Sequence, residues 1–243
     1  MMAELNLLRV LEAHRSIRRY RPEPIPPEHV RQLMHAAQRA STGGAGQLYS
    51  IVRVTDRESR GRLAEMTGQA HVASAAEFFI ACLDTHRLRR LLEQRGLSPG
   101  VRPLSLYATT DALLALANLA TAAEALGYGI CYVGSLQREL ETLIALLHLP
   151  ESVCPLLGLC VGVADEWPEP SPRLPADVVF HENRYHEPTA EDLEHCYEAM
   201  AGATYAGGWF NALRQYFMAG QEYEVREKHW QSALARQGFQ VSV

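Results

Sequence analysis

Among the five cysteines of this 243-residue chain, at positions 82, 131, 154, 160 and 196, no C-x-x-C pair occurs. The spacing of a zinc ribbon or a dithiol redox site is therefore missing. Cys82, Cys131, Cys154 and Cys160 lie in the apolar runs FFIACLD, GICYVG and VCPLLGLCVG, so buried free thiols are expected. No apolar run is long enough for a transmembrane helix. The opening MMAELNLLRVLEAH has the pattern of an amphipathic helix, not of a charged start followed by an apolar block, so no secretory leader is expected. With an odd cysteine count, that points to the reducing cytoplasm. Positive charge is not in excess either: 23 Lys and Arg stand against 28 Asp and Glu, a net charge of -5. A nucleic-acid partner would need a local basic face on an acidic whole. Internal repeats and low-complexity tracts are also missing.

What is present is an ordinary globular composition, 47% hydrophobic and 21% charged, in a length that suits one main domain with a continuous core. Leu5, Leu8, Val10 and Leu11 recur at helical spacing, and HRSIRRY follows at that helix's end. Pro22, Pro24, Pro26 and Pro27 form an extended link to a second amphipathic helix, Glu28 to Ala40, with Val30, Leu33, Met34 and Ala37 on one face. The glycine-rich STGGAG ends it. YSIVRVTD reads as a strand, Arg57 to Met66 as a helix and AEFFIACLD as a fully apolar strand. A basic helix around Leu88 to Arg95 precedes the longest one, Leu104 to Leu126, which is rich in alanine and leucine almost all round and is expected to be buried on most faces. After Gly127 come a strand in GICYVGS, a helix from Leu136 to Leu147 and a buried strand in CPLLGLCVGVA. From Asp165 a proline-rich stretch reads as an ordered arm, and Ala190 to Gly238 as helical. The order implies an α+β or mixed α/β domain with extensions at both ends, a form that suggests a partner subunit.

The most concentrated chemistry is HRSIRRYRPEP, residues 14 to 24. His14, Arg15, Ser16 and Arg18 at a helix-to-loop junction can converge on a phosphate through charge-assisted bonds. Arginines that merely complement a helix carboxyl end, a gain of about 0.3 to 1 kcal/mol, explain the charge equally well at this stage. STGGAGQ is not a dinucleotide fingerprint, because a helix precedes it, a strand follows it, and Tyr49 falls on the third glycine position. No P-loop occurs. In HENRYHE, His181 and His186 are five apart, about 140° around a helix, which excludes the zinc motif with histidines four apart. Ser135 in VGSLQ lacks the flanking glycines of a nucleophile elbow. ICYVGSL instead delivers Gly134 and Ser135 to a tight turn at a helix start, suited to an electron-rich atom of a planar ligand. In SPRLP, prolines on both sides hold Arg173 in an extended segment suited to gripping a phosphate.

Taken together, HRSIRRY, the small-residue loop with Gln47 and YSIVRVTD, TGQAH, CYVGSLQ, LLGLCVG, SPRLP and FHENRY follow in an order that resembles the flavin-dependent nitroreductase family. The similarity is closest to its oxygen-insensitive NADPH nitroreductase and flavin reductase branch and runs from about Leu5 to Tyr185, with a weaker echo at Trp209. The resemblance implies an α+β fold with a central mixed sheet flanked by helices. It implies a homodimer that exchanges terminal extensions and binds FMN at two interface sites. An FMN-binding domain would cover 1–188, with 189–243 a helical C-terminal extension of the same fold. It further implies that His14, Arg15 and Ser16, joined by Arg173, hold the FMN phosphate and ribityl chain, and that Arg18 reaches the pyrimidine edge. Gln69 would bond the ring edge, and Tyr132, Val133, Gly134, Ser135 and Leu136 would face its N5 and O4 side; Ser41, Thr42 and Gln47 are weaker candidates. No catalytic side chain and no metal is implied: hydride would pass from NADPH or NADH through flavin N5 to a nitroaromatic, a quinone or free flavin.

Two departures qualify the match. Ser171 stands where the branch often has a lysine, and no Arg or Lys occurs from Tyr185 through Leu213, where NADPH-preferring members carry arginines for the 2′-phosphate. The competing expectations are another flavin redox role, such as dehalogenation or flavin supply, and a nucleic-acid or anionic-surface binding protein using HRSIRRYR and THRLRRLLEQR. Net charge and the lack of interleaved aromatics weigh against the last.

Overall fold

A computed structural model describes residues 7–97 and 104–239; Leu5, counted in the first helix above, lies outside them. In chain order the elements are α1 (Leu7–Glu12), α2 (Pro27–Gln38), a 3₁₀ turn (Gly43–Ala45), β1 (Tyr49–Arg53), α3 (Arg57–Thr67), α4 (His71–Ser74), β2 (Glu77–Asp84), α5 (His86–Gln94) and α6 (Ser105–Ala125). Then follow β3 (Gly129–Val133), a 3₁₀ turn (Gly134–Arg138), α7 (Leu140–Leu146), β4 (Val153–Gly162), α8 (Ala176–Val179), α9 (Ala190–Ala199), α10 (Gly208–Phe217) and α11 (Glu222–Arg236). The short α4 and α8 had no sequence counterpart above. The Leu136 to Leu147 helix divides into a 3₁₀ turn and α7.

The sheet order is β1-β2-β4-β3, and each neighbouring pair is antiparallel. The α+β class is as expected. The parallel component of the expected mixed sheet shrinks to one isolated bridge between Ser16 and Ile130, because each helix-containing connection returns the chain in the opposite sense. β2 and β4 occupy the middle and are buried on both faces, which explains why AEFFIACLD and CPLLGLCVG read as unbroken apolar runs. Alternate residues of β2 serve two cores. Phe79, Ala81 and Leu83 pack with Leu33 and Ala37 of α2 and with Ala112, Leu116 and Leu119 of α6. Phe78, Ile80 and Cys82 pack with Leu63 of α3, Val72 of α4, Leu143 of α7 and Ile17.

Local signals set the helix ends. Asp56 accepts the Ser59 amide at 2.7 Å and caps α3, which closes on Gly68 at φ 65°. Thr189 and Asp192 form a reciprocal capping box on α9. All five cysteines are buried and free; burial pushes the Cys154 thiol up to about 12 and raises Cys82, Cys131 and Cys160 as well. Among the described residues no helix is long and apolar enough to cross a membrane, and no group of three or more His, Cys, Asp or Glu is placed to hold a metal.

α6 departs from its expected burial. Ala108, Ala112, Ala115, Leu116, Leu119 and Ala123 are fully buried, but Leu106, Tyr107, Leu113 and Leu114 are exposed, Leu106 at 71%. Within one chain the helix is thus buried along one side and apolar on both. The chain divides into two compact units, one within Met1–Pro168 and Glu227–Val243, the other Glu169–Arg226. The second carries α8, α9 and α10 and the start of α11; in it Tyr223 meets Tyr216 and Phe217 at ring distances of 5.0 and 4.8 Å, and Arg226 pairs with Glu222 at 2.7 Å.

Candidate functional site

The basic motif is not a loop leaving a helix but a fastened ridge. After α1 ends at Glu12 the chain runs extended along the sheet: Ile17 N–H donates to Ile130 O at 2.7 Å, Arg21 N–H to Val163 O at 2.9 Å, and Asp165 N–H to Arg19 O at 2.9 Å. Two glycines admit it. A Cβ on Gly129 would stand 2.8 Å from Ile17 Cγ1, and one on Gly162 2.8 Å from Tyr20 Cδ1, so both positions require glycine for the segment to approach this closely. Tyr20 is buried, and its hydroxyl donates to Ile17 O at 2.6 Å.

Glu166 completes the fastening. One oxygen accepts the Arg18 and Arg19 amides at 2.6 and 3.1 Å, and the other accepts Arg19 Nε at 3.1 Å. Burial alone would raise this carboxyl, but the two amides and the Arg19 guanidinium outweigh it and hold it below the ordinary glutamate value.

The side chains of the motif have separate roles. His14 Nδ1 meets Glu124 Oε1 at 2.7 Å. Arg15 donates Nε to Ala13 O at 3.1 Å, so it does complement the end of the first helix, and it also donates Nη1 to Pro168 O at 3.1 Å and lies 5.9 Å over the Trp167 ring. Ser16 lies against the Cys131 thiol. Arg18 is exposed, and among the described residues no acceptor stands within hydrogen-bond reach of its guanidinium.

The charge of Arg18 reaches three buried polar groups, His71, Cys131 and Tyr20. His71 is 6% exposed, and its Nε2 has no hydrogen-bond partner; the same holds for Ser135 Oγ, and these two are the buried orphans among the described residues. A buried polar atom without a partner is costly and calls for an explanation. Burial holds the His71 pKa below its ordinary value, the Arg18 charge lowers it further, and Glu166 opposes. Cys131, raised chiefly by burial, feels the same two charges. Tyr132 projects from β3 at 39% exposure, its hydroxyl pushed up to about 12 by burial and by Glu124. Val133 and Leu136 are packed in the core, so only their main chain is available to a ligand. Gln69 is half-buried, its carbonyl taken by the Val72 amide at 3.0 Å.

Ser16 thus stands against β3, bridged to Ile130 and lying on Cys131, with His14, Arg15 and Arg18 on either side of it in the chain. Ser41, Thr42 and Gln47 do not join them. Their loop is held by Asp111, a buried carboxylate of α6 that accepts the Gly43 amide at 3.0 Å and the Leu48 amide at 2.9 Å. Arg87 donates to Gln47 O at 2.6 Å, and Ala45 and Gln47 take positive φ, 57° and 49°. His14 is anchored instead on Glu124, thirteen residues further along the same helix, about 20 Å at 1.5 Å per residue. Arg173 belongs to the second unit, is exposed, and donates to its neighbours Ser171 O and Pro172 O at 2.9 and 3.1 Å.

His71, Glu166, Asp111, Glu124 and Trp167 were not singled out from the sequence. TGQAH carried a signal for His71, whereas the four others are isolated residues whose partners lie far along the chain. Beside Arg15 opens a cavity of about 250 Å³ lined by Arg15, Ile17, Glu124, Tyr128, Gly129 and Trp167. The arrangement offers cations and buried hydrogen-bonding groups but no activated nucleophile, since the Cys131 and Cys160 thiols are raised by burial.

Comparison with known proteins agrees with this geometry. Residues 11–163 match the model of the nitroreductase family. The chain is 39% identical over 206 residues to the NADPH-flavin oxidoreductase of Vibrio harveyi, covering 83% of each chain. It is 38% identical over 208 residues to the oxygen-insensitive NADPH nitroreductase of Salmonella typhimurium, covering 85% of each. The solved structure of the NADPH:FMN oxidoreductase from Vibrio harveyi complexed with NAD+ superposes with a TM-score of 0.85 at 35% identity, over 96% of this chain and 98% of that one. The match over residues 11–163 and the identity to these relatives lead to one conclusion: this chain belongs to the nitroreductase family.

Proposed function

We propose that the chain is an FMN-dependent NAD(P)H oxidoreductase that reduces small acceptors such as nitroaromatics, quinones or free flavin. The observation that carries this reading is the unpaired Arg18 guanidinium, whose charge reaches the buried His71 with its unpartnered Nε2; Ser135 Oγ is a second buried polar atom without a partner. FMN fits that donor set: a phosphate for the cations and a ring edge of alternating donors and acceptors for the orphans. When bound, FMN supplies two-electron storage, filled by a reduced nicotinamide and emptied by the acceptor.

In this reading His14, Arg15 and Ser16 hold the phosphate and its chain. Arg18 places a fixed positive charge where negative charge develops, and being unpaired it gives up no ion pair to do so. Gln69, the Gly134–Ser135 main chain and Ser135 Oγ orient the ring edge. Buried thiols suit a cytoplasmic protein.

The site is completed by a second copy. The cavity of about 250 Å³ at Arg15 falls below the roughly 300 to 1,000 Å³ of small-molecule sites. The open apolar side of α6 suits a two-fold contact that brings the Ser41–Gln47 loop of the partner to it. The 20 Å separation of the two candidate groups within one chain supports that arrangement.

Both relatives are named for NADPH. The lack of Arg and Lys from Tyr185 through Leu213 removes a 2′-phosphate partner there, and we propose that NADH serves at least as well as NADPH.

The purified protein is expected to show oxidised-flavin absorbance that bleaches when NADH or NADPH is added without oxygen. Colourless protein that rejects added FMN would overturn the reading. Leu113→Glu, on the open side of α6, is expected to give a monomer in sedimentation and to lose FMN; a monomeric wild type that retains FMN would defeat the shared site.

A further inference from the structure

We infer that Glu166 is a positioning residue for Arg18, holding the backbone from which the Arg18 guanidinium acts on the flavin; the inference rests on the FMN reading above. The sheet bonds fasten the ridge on both sides of Arg18, at Ile17 N–H to Ile130 O and Arg21 N–H to Val163 O. Between those points the Arg18 and Arg19 amides turn away from the sheet, and one Glu166 oxygen takes both. A charge-assisted acceptor shared by consecutive amides fixes the peptide plane between them, and with it the direction of the Arg18 Cα–Cβ bond.

The choice of partners is the telling feature. A carboxylate beside Arg18 and Arg19 pairs with the Arg19 guanidinium at 3.1 Å and with backbone, not with the Arg18 side chain. Three donors occupy the two oxygens of Glu166, its side chain only 20% exposed, so it holds Arg18 without neutralising it. The Asp165 amide donates to Arg19 O at 2.9 Å, so the residue next to Glu166 is tied to the same ridge and the clamp cannot drift from it. His71, Cys131 and Tyr20 each feel Arg18 and Glu166 with opposite sign, which puts both charges in the surroundings of the proposed ring site.

Charge and clamping are separated by two substitutions. Glu166→Gln and Glu166→Ala remove the same charge, but the glutamine oxygen still accepts the two amides, while Arg19, 72% exposed at its side chain, turns away from the new amide group. The midpoint potential of bound FMN and the ratio of affinities for oxidised and reduced FMN are measured for both, together with the rate of flavin reduction. Relative to Glu166→Gln, Glu166→Ala is expected to lose about tenfold in preference for the reduced form and in rate, the loss of a directed charge at partly screened distance. In the Arg18→Ala background, Glu166→Gln and Glu166→Ala are expected to give the same values of both quantities. Equal values for Glu166→Gln and Glu166→Ala, or an undiminished difference between them in the Arg18→Ala background, would overturn the inference. If Arg18→Ala itself leaves the midpoint potential of bound FMN unchanged, the flavin reading of the ridge fails first; a normal Arg18→Ala effect with a silent Glu166→Ala defeats only the role of Glu166.

Discussion

The ridge of residues 14–21 and the loop of residues 41–48 are held by the same device, one carboxylate accepting two backbone amides, yet they are built for opposite ends. Glu166 binds the amides of Arg18 and Arg19 from a partly exposed position and leaves the Arg18 side chain unpaired. Asp111 binds the amides of Gly43 and Leu48 from inside the core, under 2% exposed, and the loop it holds carries no charge of its own. In the first case backbone is tied down so that a side chain is free to act. In the second, a buried charge is spent on fixing the shape of a neutral loop whose Ala45 and Gln47 stand at positive φ. Charge placed on a ridge is functional to the extent that its surroundings decline to neutralise it.

Breaking the ridge gives the largest effect. Arg18→Ala removes a preorganised cation, and a loss of about 10²- to 10³-fold in the rate of flavin reduction is expected, as for other single groups that stabilise developing negative charge. FMN content, read from absorbance, stays near that of the wild type. A normal rate would make Arg18 an ordinary surface arginine.

The loop answers in stability. Asp111→Ala leaves the Gly43 and Leu48 amides without acceptors, and at about 1 to 3 kcal/mol for each abandoned group a loss of about 2 to 6 kcal/mol is expected in urea unfolding. Asp111→Asn keeps one oxygen and loses less. Equal losses for the two variants would mean that the carboxylate charge, not its acceptors, holds the loop.

These two clamps mark how far the sequence was legible. Strands with unbroken apolar runs and helices with a clear periodic face were readable because their signals are local. HRSIRRY was readable as a cationic motif, and its place in the fold was not. Its extended path depends on Ile17 and Tyr20 meeting Gly129 and Gly162, pairs more than a hundred residues apart. Asp111 was not singled out, since its role exists only once α6 passes the loop. Glu166 stood in a proline-rich stretch with nothing in DEWPEP to set it apart. The mixed sheet was what the resemblance implied, and the direction of each return is a property of packing and not of spacing.

Arg15 sharpens the difference between neighbours on the ridge. Its guanidinium already serves Ala13 O and Pro168 O, so part of its capacity is structural. Arg15→Ala is expected to weaken FMN binding by about 10- to 100-fold, the range of a lost hydrogen bond to a charged group, with a smaller effect on the reduction rate of enzyme saturated with FMN. Fluorescence titration of the apoprotein reads it. Unchanged affinity would move the phosphate site away from the cavity beside Arg15.

The smallest effect lies in pH dependence, and it tests whether the ridge's surroundings are strained without a ligand. His71 is buried with Nε2 unpartnered, and its pKa is depressed below 6.5, first by burial and then by Arg18, with Glu166 opposing. Above about pH 6.5 neither folded nor unfolded chain holds a proton there, and this residue adds no pH dependence. As the pH falls below that value, the unfolded chain binds a proton that the folded chain refuses until its own lower pKa is reached. Stability is therefore full above pH 6.5 and declines through the window down to the folded pKa, at no more than about 1.4 kcal/mol per pH unit for one proton. His71→Gln, which does not titrate, is expected to flatten that part of the urea-midpoint profile of the apoprotein. Loop variants such as Asp111→Asn leave His71 in place and should preserve the decline, shifted as a whole. If wild type and His71→Gln run parallel from pH 7 to 5, the imidazole is not held neutral by the ridge, and the orphaned Nε2 loses its standing as evidence for a ligand beside Arg18.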